Sequence, residues 1–338
     1  MTDPRFGVWA PVYGNHGARD HPEDAPDASY RRTRDLIVAA EGAGFDSTLV
    51  AQHVVHPSAV EDDVLETWST LAGLAEATSR IELIGAIKPL LFNPLVFAKL
   101  AGNIAEISDG RLSINVVSGW FLPELEALGI EVPEHDDRYV HTRQWLQTVT
   151  ALWAGKPVTI GGGDRQPALV RPAPAVVPPV YVGGESEPGR ALAAATADVF
   201  FINGRPFGDV VDVIDDLRSR PRDGVPLRFG LSAFVIARDT EEEALAELRH
   251  LQSLVDAERR PEISGGTDPK TQMYRVLADT SRVGSNGGTL AGLVGSHEQV
   301  AERIAMFHDA GIELFMLQFQ PLEAELHRFA EHIIPRFR

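Results

Sequence analysis

Cysteine is absent from the 338 residues. Its absence removes disulfides, thiolate zinc sites, iron–sulfur ligation and cysteine nucleophiles together, so any metal would have to use histidine and carboxylates. Positive charge is scarce as well. Lys and Arg total 31 against 48 Asp and Glu, a formal net charge of −17, and such a field repels phosphate backbones and anionic membrane surfaces. Neither nucleic acid nor membrane is an expected partner. The opening Met1-Thr2-Asp3-Pro4-Arg5 has no basic-then-apolar leader pattern. No apolar run approaches the ~20 residues that span a bilayer. The expected location is the cytoplasm. Also missing are the GxGxxG fingerprint after a strand and the GxxxxGK[ST] phosphate loop, which disfavours a Rossmann domain.

What is present is an alternation of short β-branched or aromatic runs with longer helical stretches, the pattern of parallel β/α units. Strands are predicted at 6–10, 45–51, 81–87, 111–117, 180–182, 199–202, 227–237 and 312–319. Helices are predicted at about 29–43, 68–78, 94–107, 137–153, 188–197, 210–219, 241–255, 298–310 and 323–334. Eight such units predict a (β/α)8 TIM barrel, a single domain over 1–338 with Gly- and Pro-rich insertions at about 155–179 and 259–296. The later insertion reads either as an active-site lid or as a surface excursion.

In a barrel, ligand-binding groups gather at the C-terminal strand ends. The densest such segment is Asn115-Val116-Val117-Ser118-Gly119-Trp120, with Glu124 following. A side-chain amide there can bond the edge of a planar heterocycle, or can merely cap the next turn. Val182-Gly183-Gly184-Glu185-Ser186 leads from a strand into a helix, and its N–H groups suit an anion, although such turns need glycine anyway. His135-Asp136-Asp137-Arg138-Tyr139 precedes a helix and offers a charged fork and a phenol to a phosphate. Adjacent residues cannot readily converge on one metal ion there. His53 and His56 with Glu61-Asp62-Asp63 are the better metal candidates, against a solvated acidic loop.

These residues resemble a known family. NVVSGW from Asn115, Glu124 nine positions on, HDDRY from His135, LW at 152–153, the VGGES segment and LVGSHEQVAERIAMFHDAGIELFMLQFQP from Leu293 resemble the bacterial-luciferase-like flavin-dependent monooxygenases. Within them the two-component dimethylsulfone monooxygenases are most similar, with alkanesulfonate monooxygenases close behind. The resemblance covers essentially the whole chain. It implies a TIM barrel that takes FMN as FMNH2 from an NAD(P)H:FMN reductase and uses O2 as co-substrate. It places Val50, Ala51, Asn115 and Glu124 near the isoalloxazine, and Arg138, Tyr139, Gly184, Glu185 and Ser186 around the ribityl phosphate. Trp9, Trp120 and Phe234 become candidates for a dry wall, and His53 for a titratable group beside the flavin. Self-association as a homodimer or homotetramer is a further implication.

The departures from the family pattern bear on substrate. Alkanesulfonate-cleaving relatives carry an Arg-x-His pair on strand seven where this register has Ser232 and Phe234, and an active-site cysteine near Val64. Their late tyrosine aligns with Gln320, and an arginine of the late loop falls near Asn286. A buried anion needs paired cations to offset desolvation. The expectation is therefore a small neutral organosulfur substrate such as dimethylsulfone, cleaved to methanesulfinate and formaldehyde. Alternatives are an alkanesulfonate substrate, F420-dependent hydride transfer on the same fold, and a metal-dependent barrel hydrolase built on His53 and His56.

Overall fold

The computed structural model describes residues 3–24, 26–57, 61–119, 121–161, 165–257 and 282–338. Its strands are β1 (Arg5–Trp9), β2 (Ser47–Val50), β3 (Glu82–Ile87), β4 (Leu112–Val116), β5 (Val180–Val182), β6 (Val199–Ile202), β7 (Arg228–Phe234), β8 (Ile236–Arg238), β9 (Val294–Ser296) and β10 (Ile312–Gln318). All but β8 and β9 form a closed parallel barrel in the order β1-β10-β7-β6-β5-β4-β3-β2. The expected (β/α)8 barrel is thus the observed fold. Around it run α1 (Tyr30–Gly42), α2 (Thr67–Ala77), α3 (Pro94–Ile107), α4 (Leu122–Ala127), α5 (His135–Trp153), α6 (Glu187–Thr196), α7 (Phe207–Ser219), α8 (Glu241–Ala257), α9 (His297–Ala310) and α10 (Leu322–His332).

Local sequence explains several boundaries. Ser29 accepts from the Arg32 N–H at 3.3 Å to start α1, and Gly44 at φ 95° ends that turn. Asn93 caps α3 through the Leu95 N–H at 2.9 Å, with Pro94 at the first helical position. Ser296 and Gln299 form a reciprocal capping box at α9. The strands are covered on both faces, which is why they read as continuous apolar runs rather than alternating ones.

Side-chain parity follows from the barrel floor. Arg5, Ser113 and Tyr181 all converge on the Glu82 carboxylate, at 2.6, 2.5 and 3.0 Å. Residues two and four positions further along each strand share that inward face. Accordingly Trp9 of β1 and Phe201 of β6 meet edge to face at 6.4 Å, although two strands separate them in the sheet. Outward residues meet the helices: a Cβ on Gly85 would touch Leu71 and Trp68 of α2 at 2.6 and 2.9 Å.

Three expectations need correction. Strand seven is not one run over 227–237. It breaks at Val235, whose N–H bonds the Gln318 carbonyl at 3.0 Å, and the next N–H, of Ile236, turns to Leu293 at 3.0 Å to begin the β8–β9 pair. His135 is the first residue of α5, not part of a loop before it. The late insertion divides: 258–281 lie outside the described residues, whereas 282–292 form a strap held across the barrel mouth. Ser285 N–H donates to Gln318 Oε1 and Gln318 Nε2 to Ser285 Oγ, both at 2.9 Å, and the Asn286 carbonyl accepts from Gly204 at 2.8 Å. In the earlier insertion, Val158 and Ala168 form a lone antiparallel bridge.

Candidate active site

The C-terminal mouth of the barrel collects the polar side chains. On β4, Asn115 faces inward and is buried, and its Oδ1 has no hydrogen-bond partner. A Cβ at Gly183 would come within 3.6 Å of that oxygen. Beside it, a Cβ at Gly184 would lie 2.7 Å from the Tyr139 hydroxyl, so only glycine lets the β5–α6 turn approach this phenol. Ser186 occupies the N-cap of the ten-residue α6 without capping it, and its buried Oγ lacks a partner. Asn115, Gly183, Gly184, Tyr139 and Ser186 therefore form one cradle. Two orphaned polar atoms and a helix N-terminus face it, a combination suited to a heterocycle edge and an anion.

Arg138 is buried behind this cradle, its Nη1 donating to the Gly119 carbonyl at 3.1 Å. Glu185 departs from its expected place. Its carboxylate turns away to pair with Arg205 and to accept from the Asn203 N–H at 2.8 Å, which ties β5 to β6 instead of presenting a negative charge to an anion. Burial raises the Glu185 carboxyl, with Arg205 opposing. Val50 is likewise turned outward, because it pairs with Gly85, whose open side meets α2. Ala51 lies on the inward face. Phe234 ends β7 fully buried under the strap, with a Cβ at Gly284 only 2.6 Å from its ring. Trp120 lies outside the described residues.

On the neighbouring β2–β3 side of the mouth, α4 delivers Glu124 into a buried cluster. Its carboxylate accepts from the Val54 N–H at 2.5 Å and from the Lys88 ammonium, and His53 Nδ1 lies 3.6 Å from it and 3.5 Å from Lys88 Nζ. Burial would raise the Glu124 carboxyl, but the His53 and Lys88 contacts outweigh it and hold the group at about 2. Burial, then the Lys88 charge, pushes His53 down to about 4. At neutral pH the Glu124 carboxyl is ionised and the imidazole uncharged, while burial lowers the Lys88 ammonium and Glu124 opposes that shift.

Sequence reasoning assigned no role to Lys88, although its signal was present: a lone cation directly after the apolar run Glu82–Ile87. Three more residues were given no role. His16 bonds Tyr13 and Ser285, Gln318 holds the strap, and Arg282 is buried at the start of the strap with Nη1 on the Gly284 carbonyl. Gln320, which stands where the family's late tyrosine falls, spends its amide on both backbone groups of Ala18 at 2.7 Å. The barrel-hydrolase alternative finds no ligand set: among the described residues no three metal-ligating side chains converge. Asp62 pairs with Arg19 at 2.6 Å, and His56 bonds the Tyr13 carbonyl at 3.3 Å.

The family model for luciferase-like monooxygenases matches residues 5–314. The chain belongs to this family. As a luciferase-like monooxygenase it is 28% identical to proteins named FMNH2-dependent dimethylsulfone monooxygenase from Pseudomonas fluorescens and Pseudomonas putida. The alignments cover 99% and 100% of this chain and 94% and 96% of those proteins. A riboflavin lyase, solved with a modified FMN and riboflavin, shares the fold at a TM-score of 0.80 and 20% identity, over 99% of this chain and 91% of that one. No helix among the described residues is long and apolar enough to cross a membrane.

Proposed function

We propose that this luciferase-like monooxygenase takes FMNH2 from a separate NAD(P)H:FMN reductase and uses O2 to cleave a C–S bond in a small neutral organosulfur compound such as dimethylsulfone. Dimethylsulfone, O2 and FMNH2 would yield methanesulfinic acid, formaldehyde, FMN and water, in atom and electron balance. The observation that carries this reading is the pair of orphaned buried atoms, Asn115 Oδ1 and Ser186 Oγ, flanking the Gly183–Gly184 turn. They fit a flavin. Asn115 would accept from its ring edge, while Ser186, Tyr139 and the α6 N-terminus would hold its phosphate. When bound, reduced flavin supplies the two electrons that activate O2.

The chain's own part is positioning, water exclusion and proton handling. Trp9 and Phe201 wall the mouth with apolar surface and the strap covers it, which suits a reaction that water would quench. His53, neutral and backed by Lys88 and Glu124, would accept a proton and pass it outward.

A second reading, an alkanesulfonate substrate, is favoured by Arg282, a buried cation in the late strap where none was expected. Purified protein with a flavin reductase, NADH and O2 would be offered dimethylsulfone and methanesulfonate, with formaldehyde and the sulfur product measured. Formaldehyde and methanesulfinate from the sulfone alone support the first reading, and turnover of the sulfonate alone supports the second. Oxidation of reduced F420 with no need for O2 would displace both.

A further inference from the structure

Two more buried donors face the mouth and are used neither by the cradle nor by the Lys88 cluster. Trp9 is 6% exposed, and its indole Nε1–H has no acceptor in the protein. An indole nitrogen can only donate, and buried ones normally find a partner. Its contact with Phe201 across the barrel fixes the ring inside the mouth. His16, 5% exposed, packs edge to face on the same indole with ring centroids 5.6 Å apart.

The hydrogen bonds around His16 select its tautomer. Nδ1 lies 2.9 Å from the Tyr13 hydroxyl and 3.4 Å from Ser285 Oγ, two hydroxyls that can each donate to it. Ser285 Oγ in turn accepts from Gln318 Nε2, which leaves its own proton for His16. Burial pushes His16 down to about 4, with the Ala10 carbonyl opposing, so at neutral pH the imidazole carries one proton. With Nδ1 an acceptor, that proton sits on Nε2, which makes no well-formed hydrogen bond and engages only the Ala10 carbonyl.

We propose that Trp9 and His16 form a double-donor subsite for an oxygen of an uncharged S=O substrate. The inference rests on the reading under Proposed function and narrows it to oxygenated sulfur. Two neutral N–H groups satisfy a sulfone or sulfoxide oxygen. A thioether, lacking any acceptor oxygen, would leave the Trp9 donor buried and unpaired and His16 Nε2 with the Ala10 carbonyl alone, and a site built to hydrogen-bond rejects analogues without the matching group. Neutral donors do less to offset the desolvation of a full anion than a paired cation does.

The test compares wild type with Trp9→Phe, which keeps a ring but loses the N–H, and with His16→Gln and His16→Phe, of which only Gln retains a donor. Each is assayed with a flavin reductase on dimethylsulfone, dimethyl sulfoxide, dimethyl sulfide and methanesulfonate, while FMNH2 affinity is measured separately under anaerobic conditions. Trp9→Phe and His16→Phe should each raise KM for the sulfone about tenfold with smaller changes in kcat, FMNH2 affinity unchanged and His16→Gln partly restored. Sulfide KM should not move. Equal effects on sulfone and sulfide, no effect at all, or wild-type preference for sulfide or sulfonate overturns the proposal. Loss of FMNH2 binding in wild type would instead overturn the cofactor reading. The subsite is then read by titrating dimethylsulfone into the flavin-free protein and following tryptophan fluorescence. A response absent in Trp9→Phe supports the subsite, and an unchanged or missing response overturns it.

Discussion

Lys88→Met removes one partner of a buried ion pair and leaves the other in place. Glu124 is fully buried. Without Lys88 its charge would rest on the Val54 N–H and the His53 ring 3.6 Å away. Removing one member of such a pair costs about 3–5 kcal/mol, because the survivor is desolvated without compensation, whereas replacing both by neutral groups of similar volume is often close to neutral. The double variant Lys88→Met with Glu124→Gln should therefore lose much less stability than Lys88→Met alone. His53 reports on the same change. Burial is the largest cause of its low pKa and Lys88 the next, while Glu124 acts in the opposite direction, so deleting the ammonium should move the imidazole upward from about 4. Denaturant melts of both single variants and the double variant give the coupling energy, and histidine NMR titration gives the pKa. Additive losses, with an unmoved His53, would refute the claim that Lys88 and Glu124 act as one unit.

Other expectations follow from the same geometry. His16 and His53 have folded pKa values near 4 against an ordinary 6.5, so the unfolded chain binds more protons between those limits. Stability should be full above about pH 6.5 and fall as pH drops toward 4, by about 3 kcal/mol per group; a pH series of urea melts that stayed flat across this window would contradict both assignments. Gly184→Ala sets a methyl 2.7 Å from the Tyr139 hydroxyl, and should weaken FMNH2 binding about tenfold or more while the circular dichroism spectrum is kept. Gly287 sits at φ 88° with its open side against the Gly204 backbone. Gly287→Ala should lift the strap and lower the melting temperature by several degrees, and an unchanged melt would mean the strap is not held there.

The barrel was legible because parallel strands buried on both faces give apolar runs, and their helices carry local caps such as Ser29 and Asn93. Strand ends were legible for the same reason, which is why Asn115 and the Gly183–Gly184 turn could be singled out. What escaped was set by side-chain direction and by contacts distant in the chain. Val50 and Ala51 are neighbours, yet the strand's period of two sends them to opposite faces. Glu185 lies in an anion-friendly turn, but a buried carboxylate seeks a cation, and Arg205 is 20 residues away. Lys88 meets Glu124 across 36 positions, and only closure of the barrel brings them together. His16 gained its place through Ser285, 269 residues later.

On the function proposed above, the Asn115, Gly184 and Ser186 cradle holds reduced flavin. Its most direct test is anaerobic titration of FMNH2 into wild type, Asn115→Ala and Ser186→Ala, followed by flavin absorbance and protein fluorescence. Wild type should bind FMNH2 saturably and oxidised FMN more weakly, and each variant should lose about tenfold in affinity. Absence of saturable binding in wild type, or equal affinity in all three proteins, would contradict it.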